Sequence, residues 1–329
     1  MKKLIAWVLS CILAVALLGQ VNRLVIPKSG NRYFILQQYL RENPDQNLHD
    51  VQVFGSCHAY TSFDPRYLEA ETGISGFVYA NPGEIIPTTY LWMQEQFQRH
   101  TPKVAVVEIW GINAYDTYST TEEILGDYLP KNMEQVPFSI AKTEVIRDFD
   151  TLDPLGMHLP LATYKQRLVD SSLNENDWNY TFDKVKKYTN TWISEEMADR
   201  LANNGYRSYK TDALPDYPEK QAVVSVDQTL PIEENIEKYI YKIIELCREK
   251  GVTLIFYRTP YISKETELQK SNYLQQLCDE AGVTYIDLEQ ATTYDPLTDF
   301  CDYEHLSQTG AEKTTAYLIP YILEGMEIN

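Results

Sequence analysis

Short apolar segments alternate with longer amphipathic segments along most of the chain. Five segments rich in Val, Ile and aromatic residues are apolar on both faces, as expected of parallel strands that are covered by helices. They are residues 51–54, 76–79, 104–109, 252–257 and 283–288. Helical periodicity is found at residues 87–99, 232–250, 264–281 and 307–323. The alternation predicts an α/β fold, a three-layer sandwich around a mostly parallel five-stranded sheet.

The N-terminus precedes this pattern and differs from it. Lys2 and Lys3 are followed by an uncharged, mostly apolar run at residues 4–22. A transmembrane helix needs about 20 mostly apolar residues, so the run predicts one N-terminal transmembrane helix. Ala14-Val15-Ala16 resembles a signal-peptide cleavage site, and a cleaved signal therefore stays open. Both alternatives place most of the chain outside the cytoplasm.

The remaining organisation follows from these two patterns. Residues 23–47 are expected to form a linker and a helix, and residues 48–329 the α/β domain. The alternation is interrupted at about 114–228, where the sequence is polar and rich in Tyr, Asn and Asp. We interpret this stretch as an insertion between the third and fourth strands, which forms a cap or wall over the site.

The amino-acid composition limits which kinds of molecule the protein is expected to bind. The 329 residues carry a formal net charge of −18, and no cluster of Lys and Arg stands out after the N-terminus. Nucleic acid is therefore excluded as a partner, because binding it requires a basic surface. The chain has no Cys-x-x-Cys and no His/Cys spacing suited to zinc, so neither a metal nor another cofactor is predicted. Cys247 and Cys278 lie in helical segments and are expected to be packing residues.

The first motif that carries chemistry is Gly55-Ser56-Cys57-His58, directly after the first strand. Ligands of open α/β sheets bind beyond the carboxyl ends of the strands, and Cys57 is placed there, at the turn into a helix. A cysteine at a helix start is a candidate nucleophile. The alternative is a buried, inert thiol.

The second motif is Asp302-Tyr303-Glu304-His305, just before the last helix. A histidine oriented by an aspartate is the general base of a hydrolase triad, and Cys57 supplies the nucleophile. The alternative is that Asp302 and His305 only cap the last helix, together with Ser307.

In this order, the two motifs resemble those of the SGNH (GDSL-like) superfamily of esterases and acyltransferases. They are most similar to the Gly-Ser-Ser-His variants that are attached outside bacterial cells. The resemblance covers about 48–116 and 230–323. It implies a flavodoxin-like sandwich and a Cys57, His305, Asp302 triad, in which Cys57 replaces the serine of the family.

The same resemblance implies an oxyanion hole. It would consist of the backbone N–H groups of Cys57 and Gly83 and the side chain of Asn113. Ala114 stands where the family has an aspartate. Ser56 and His58 are expected to support the nucleophile turn. Gly83 as an ordinary turn residue and Asn113 as a loop-stabilising residue remain open.

The predicted function is that of a membrane-tethered, extracytoplasmic acyl esterase or acyltransferase. Its expected substrate is an O-acylated cell-envelope glycan or polymer, or a small acyl ester. A cysteine nucleophile favours transfer from a thioester or another activated ester. Two alternatives stay open: a non-catalytic envelope-assembly or glycan-binding protein with a degenerate site, and a thiol protein controlled by a disulfide between Cys57 and Cys301.

Overall fold

The computed structural model describes residues 2–26, 32–113, 132–134, 136–149, 154–159, 161–162, 165–169, 194–218 and 220–328. Its centre is a five-stranded sheet in the order β2-β1-β3-β4-β5, and all neighbouring strands are parallel. The strands are β1 Val51–Gly55, β2 Gly76–Ala80, β3 Val104–Glu108, β4 Thr253–Arg258 and β5 Thr284–Asp287. This strand order is the flavodoxin-like one. The predicted α/β class and parallel five-stranded sheet are confirmed.

Helices precede, connect and follow these strands. In the described part of the chain they are α1 Lys2–Asn22, α2 Arg32–Glu42, α3 Cys57–Ser62, α4 Pro65–Thr72, α5 Ile86–Arg99, α6 Ile140–Asp148, α7 Pro154–His158, α8 Glu195–Ala202, α9 Glu234–Lys250, α10 Glu265–Ala281, α11 Leu288–Ala291 and α12 Gln308–Ile328. The last helix extends beyond the predicted end at residue 323 and contains Pro320.

Helices cover both faces of the sheet. Successive side chains of a strand point to opposite faces, so each strand contributes to two buried clusters. Phe256 of β4 lies in one cluster with Trp92 of α5. Its neighbour Ile255 lies in the other cluster with Leu318 of α12. The result is the three-layer sandwich that the sequence predicts.

The predicted membrane segment forms the helix α1, on which Trp7, Leu9 and Leu13 are exposed. Within the residues that the structure describes, no helix is long and apolar enough to cross a lipid bilayer. The predicted transmembrane helix is therefore not confirmed.

Candidate active site

The turn that carries Cys57 depends on a glycine. β1 ends at Gly55, whose φ of +138° is one that L side chains rarely adopt, and a Cβ there would lie 2.9 Å from Glu108 Cβ. After the turn, Ser56 caps α3, because its hydroxyl accepts a hydrogen bond from the His58 N–H at 3.2 Å. Cys57 is thus the first residue of α3, half-buried, at the carboxyl edge of the sheet.

Glu108 joins this turn to the loop after β3. Its Oε2 accepts a hydrogen bond from the Ser56 hydroxyl at 3.0 Å, and its Oε1 accepts one from the Trp110 N–H at 2.8 Å. Burial raises the pKa of Glu108 to about 7, although both hydrogen bonds favour the ionised form. A carboxyl group in an apolar strand is conspicuous in the sequence, and its contacts explain why it is there.

Replacing Glu108 with leucine removes both acceptors while keeping an apolar strand position. We expect a loss of about 2 kcal/mol or more in the free energy of unfolding, because buried donors lose their acceptors. We also expect slower alkylation of Cys57 by iodoacetamide, because the turn is no longer fixed. Glu108→Gln, which keeps one acceptor, should lose less. Glu249→Leu is the control, since Glu249 is exposed. Unchanged alkylation in Glu108→Leu would remove Glu108 from the positioning of Cys57.

Asp302 holds His305 through its carboxylate. His305 Nδ1 lies 3.0 Å from both Asp302 oxygens. Asp302 Oδ1 also accepts hydrogen bonds from the His305 and Glu304 N–H groups, each at 2.8 Å. Burial lowers the pKa of His305, but hydrogen bonds to Asp302 and Cys57 and their charges outweigh it and raise the pKa to about 10. This raised pKa favours the doubly protonated, charged form of the His305 imidazole at neutral pH.

The structure brings Cys57, His58 and His305 together. One ligand-type atom of each, the thiol sulfur or a ring nitrogen, lies within 4.8 Å of the other two. His58 is buried, with ring centroids 5.2 Å from His305, 5.4 Å from Trp110 and 5.0 Å from Tyr261. Burial, and then the charge of His305, lower the pKa of His58 well below its usual range. His58 is therefore neutral beside a charged His305.

Gly83 and Asn113 lie on the two loops beside the Cys57 turn. Gly83 has a φ of +62° in the turn after β2. Asn113 is buried after β3, and its amide donates a hydrogen bond to the Tyr261 hydroxyl at 3.0 Å. The loops touch, because a Cβ on Gly111 would lie 2.9 Å from the Glu84 carbonyl oxygen. The oxyanion-hole roles of Gly83 and Asn113 stay predictions.

Part of the predicted insertion lies beside the site. The Tyr209 ring is stacked 6.5 Å from the His305 ring, between centroids. The backbone N–H of Arg207 donates to the Tyr60 carbonyl on α3 at 2.8 Å. Residues 194–218 therefore contact both the helix of Cys57 and the ring of His305. Within the insertion, residues 114–131, 135, 150–153, 160, 163–164, 170–193 and 219 lie outside the described residues.

The other cysteines differ from Cys57 in their surroundings. Cys57 and Cys301 both carry free thiols, and the Cys301 thiol donates to the His305 carbonyl at 3.5 Å. Burial raises the pKa of Cys301 to about 12. The disulfide between the two stays a prediction. Cys247 and Cys278 are buried in α9 and α10, as expected of packing residues.

The sequence interpretation missed Arg258, a buried cation behind the site. Its Nη1 donates to Asp287 Oδ1 at 2.8 Å, and its guanidinium carbon lies 5.1 Å from the centroid of the Tyr261 ring. Tyr261 in turn contacts both His58 and Asn113. A charged residue at the end of an otherwise apolar strand was the available signal.

Comparisons with known proteins add little to this geometry. No family model matches the chain, and no curated protein matches it. Among solved structures, the chain is similar to a Bacteroides fragilis protein described as a "putative acylhydrolase". The identity is 10%, the TM-score is 0.39, and the match covers 88% of this chain and 97% of the other. At that TM-score the likeness carries no argument about fold or function.

Proposed function

We propose that this chain is an acyl-transfer enzyme, an ester hydrolase or acyltransferase, in which Cys57 is the nucleophile. One observation carries the proposal. His305 is held by two 3.0 Å contacts between its Nδ1 and the Asp302 carboxylate, and a ring nitrogen of His305 lies within 4.8 Å of the Cys57 sulfur. A nucleophile beside a base that a third group orients is the arrangement of a hydrolase triad.

The proposed reaction has two steps. The Cys57 thiolate attacks the acyl carbonyl carbon, the bond to the leaving alcohol or thiol breaks, and His305 gives that group its proton. A thioester now links the acyl group to Cys57. Water or an acceptor hydroxyl then attacks this thioester while His305 takes its proton, and Cys57 leaves as a thiolate. Asp302 keeps the imidazole in one orientation throughout.

The substrate class follows from the sequence resemblance and from the thiol. A thiolate reacts well with thioesters and activated esters, so the acyl donor is expected to belong to one of these classes. The resemblance to extracytoplasmic SGNH-like proteins supports an O-acylated cell-envelope glycan or polymer as donor or acceptor. Tyr209 beside His305 offers an aromatic surface for such a substrate.

Trapping the acyl-enzyme tests the proposal directly. The full chain is mixed briefly with p-nitrophenyl acetate, quenched in acid and digested, and the peptides are analysed by mass spectrometry. We expect an acetyl group on the peptide that contains Cys57. The matched control lies in the same chain, because Cys301 is also half-buried and contacts His305 but should stay unmodified. An unmodified Cys57 would contradict the acyl-enzyme and favour the non-catalytic binding alternative.

We further propose a location outside the cytoplasm, with α1 at the membrane. Lys2 and Lys3 before the uncharged residues 4–22 support this, as do the exposed apolar side chains of α1. Cell fractionation with external protease is the measurement, and we expect a membrane-bound, protease-accessible chain. An intact chain in the cytosolic fraction would contradict the proposal. A mature N-terminus at Leu17 would identify a cleaved signal instead of an anchor.

A further inference from the structure

A set of metal-binding side chains lies at the site. Cys57 and His58 begin α3, and His305 approaches from the loop before α12. The thiol sulfur and one ring nitrogen of each histidine lie within 4.8 Å of one another. Thiolate and imidazole are the ligands that zinc and other late first-row metals prefer. The sequence gives no zinc-type spacing, because the third ligand comes from the opposite end of the domain.

The second observation concerns how the two histidines are oriented. His305 Nδ1 is occupied by the Asp302 carboxylate at 3.0 Å. His58 Nδ1 lies 3.4 Å from the Thr259 hydroxyl. In each ring these contacts involve Nδ1 only, so Nε2 is the nitrogen that can bind a metal, and in His305 it can do so together with the Cys57 sulfur. Metal-binding histidines are usually fixed in this way, with the second nitrogen on a carboxylate or another polar group.

His58 separates this arrangement from a hydrolase triad. A Cys-His-Asp triad needs one histidine, and His305 fills that role. A second, buried imidazole beside the same thiol is not required as a base for acyl transfer, and it completes a set of three metal-binding side chains.

The distances between the Cys57 sulfur and the two histidine nitrogens would suit a bound metal ion after a small movement of the side chains. With Zn–S of about 2.3 Å and Zn–N of about 2.0–2.1 Å, the sulfur and nitrogen ligands of a tetrahedral site lie roughly 3.3–3.6 Å apart. The largest separation here is at most 4.8 Å, so it must shrink by at most about 1.5 Å. Cys57 is half-buried, and rotation about its Cα–Cβ bond moves the sulfur by more than this.

We propose that Cys57, His58 and His305 bind one zinc ion, or a similar thiophilic divalent cation, with one coordination position left for water. The metal binds the Cys57 sulfur as a thiolate and the His305 ring as a neutral imidazole, so the proton on the metal-facing nitrogen of His305 and any proton left on the sulfur go to solvent. No oxidation or reduction occurs. The metal then occupies both the proposed nucleophile and the proposed base, so metal binding switches the thiol chemistry off. The binding itself goes beyond the proposed function, because it requires no turnover.

Cobalt(II) provides the spectroscopic test. The reduced full chain, without a polyhistidine tag, is titrated with Co²⁺ and then with Zn²⁺. We expect one Co²⁺ per chain, a thiolate-to-cobalt charge-transfer band in the near ultraviolet, and loss of that band as Zn²⁺ displaces Co²⁺. Cys57→Ser should abolish the band. His58→Gln should weaken Co²⁺ binding by about 10-fold or more, as expected when a ligand is lost. Cys301→Ser, which removes a neighbouring thiol, should bind as the wild type does.

Wild-type-like Co²⁺ binding by His58→Gln, or a titration without the charge-transfer band, overturns the proposal. His58 is buried, so thermal melting checks that its variant folds. A second measurement needs no variant: Zn²⁺ should slow the alkylation of Cys57 by iodoacetamide at least about 10-fold, and EDTA should restore the rate. Alkylation that is unaffected by Zn²⁺ also overturns the proposal. The cobalt titration and the alkylation measurement do not require ester cleavage. Their results are therefore independent of the acetyl-trapping experiment.

Discussion

Cys57→Ala is expected to lower kcat/KM for p-nitrophenyl acetate by about 10³-fold or more, because it removes the atom that forms the acyl-enzyme. His305→Ala should lose a similar factor, since the proton donor and acceptor is then absent. Groups that act as one unit are not additive, so the double variant should be little worse than either single one. The measurement is initial-rate kinetics on the full chain, with zinc removed by EDTA.

Cys301→Ala is the matched control for Cys57→Ala. It removes a thiol that contacts the His305 carbonyl but does not form the acyl-enzyme, and activity should be retained. Wild-type turnover by Cys57→Ala would remove this cysteine from the mechanism. The Cys57→Ser variant shows whether the reaction requires a thiolate or whether a serine hydroxyl can replace it. Retained ester hydrolysis would indicate an ordinary esterase site, whereas its loss would indicate chemistry that requires a thiolate.

The sheet was predictable from the sequence because a strand that is buried on both faces is a short, mostly apolar run of residues. Strands such as β1 and β3 are buried throughout and mostly apolar, and segments of helical periodicity lie on either side of them in the sequence. The short helix α4 was missed, although Asp64 before Pro65 is a helix-start signal. The predicted end of α12 at residue 323 lies five residues before its observed end at Ile328.

The site was predictable where its residues directly follow a strand or directly precede a helix. Cys57 comes directly after β1, and the Asp302–His305 motif is recognisable by its spacing before the last helix. The contact between Ser56 and Glu108 depends on side-chain directions across two strands, which a linear pattern does not encode. The grouping of His58 with His305 depends on how the loop before α12 folds back onto the sheet. Local periodicity carries no information about such pairings.

Gly205 marks where the insertion docks against the sheet. The Asn204 carbonyl accepts a hydrogen bond from the Val78 N–H at 2.9 Å, on the edge strand β2. Buried Arg200 reinforces the contact, since its Nη2 donates to the Ala80 carbonyl at 2.7 Å and its Nε to the Gly205 carbonyl at 3.1 Å. A Cβ on Gly205 would lie 2.1 Å from the Val78 carbonyl oxygen. The backbone of Val78 is held in the sheet by its pairing with β1, so moving it away from the added Cβ would cost free energy.

We therefore expect Gly205→Ala to lose about 3 kcal/mol or more of unfolding free energy, because the clash adds to the strain of its φ of +84°. Gly251→Ala is the matched control: its φ is +68°, and nothing lies within 4 Å of a Cβ there. It should lose only about 1–2 kcal/mol, the cost of left-handed backbone alone. Urea unfolding of the full chain measures both losses. Displaced residues 194–218 should also leave Cys57 more open to alkylation in Gly205→Ala. Equal losses in the two variants would mean that this segment moves aside freely and does not form a wall of the site.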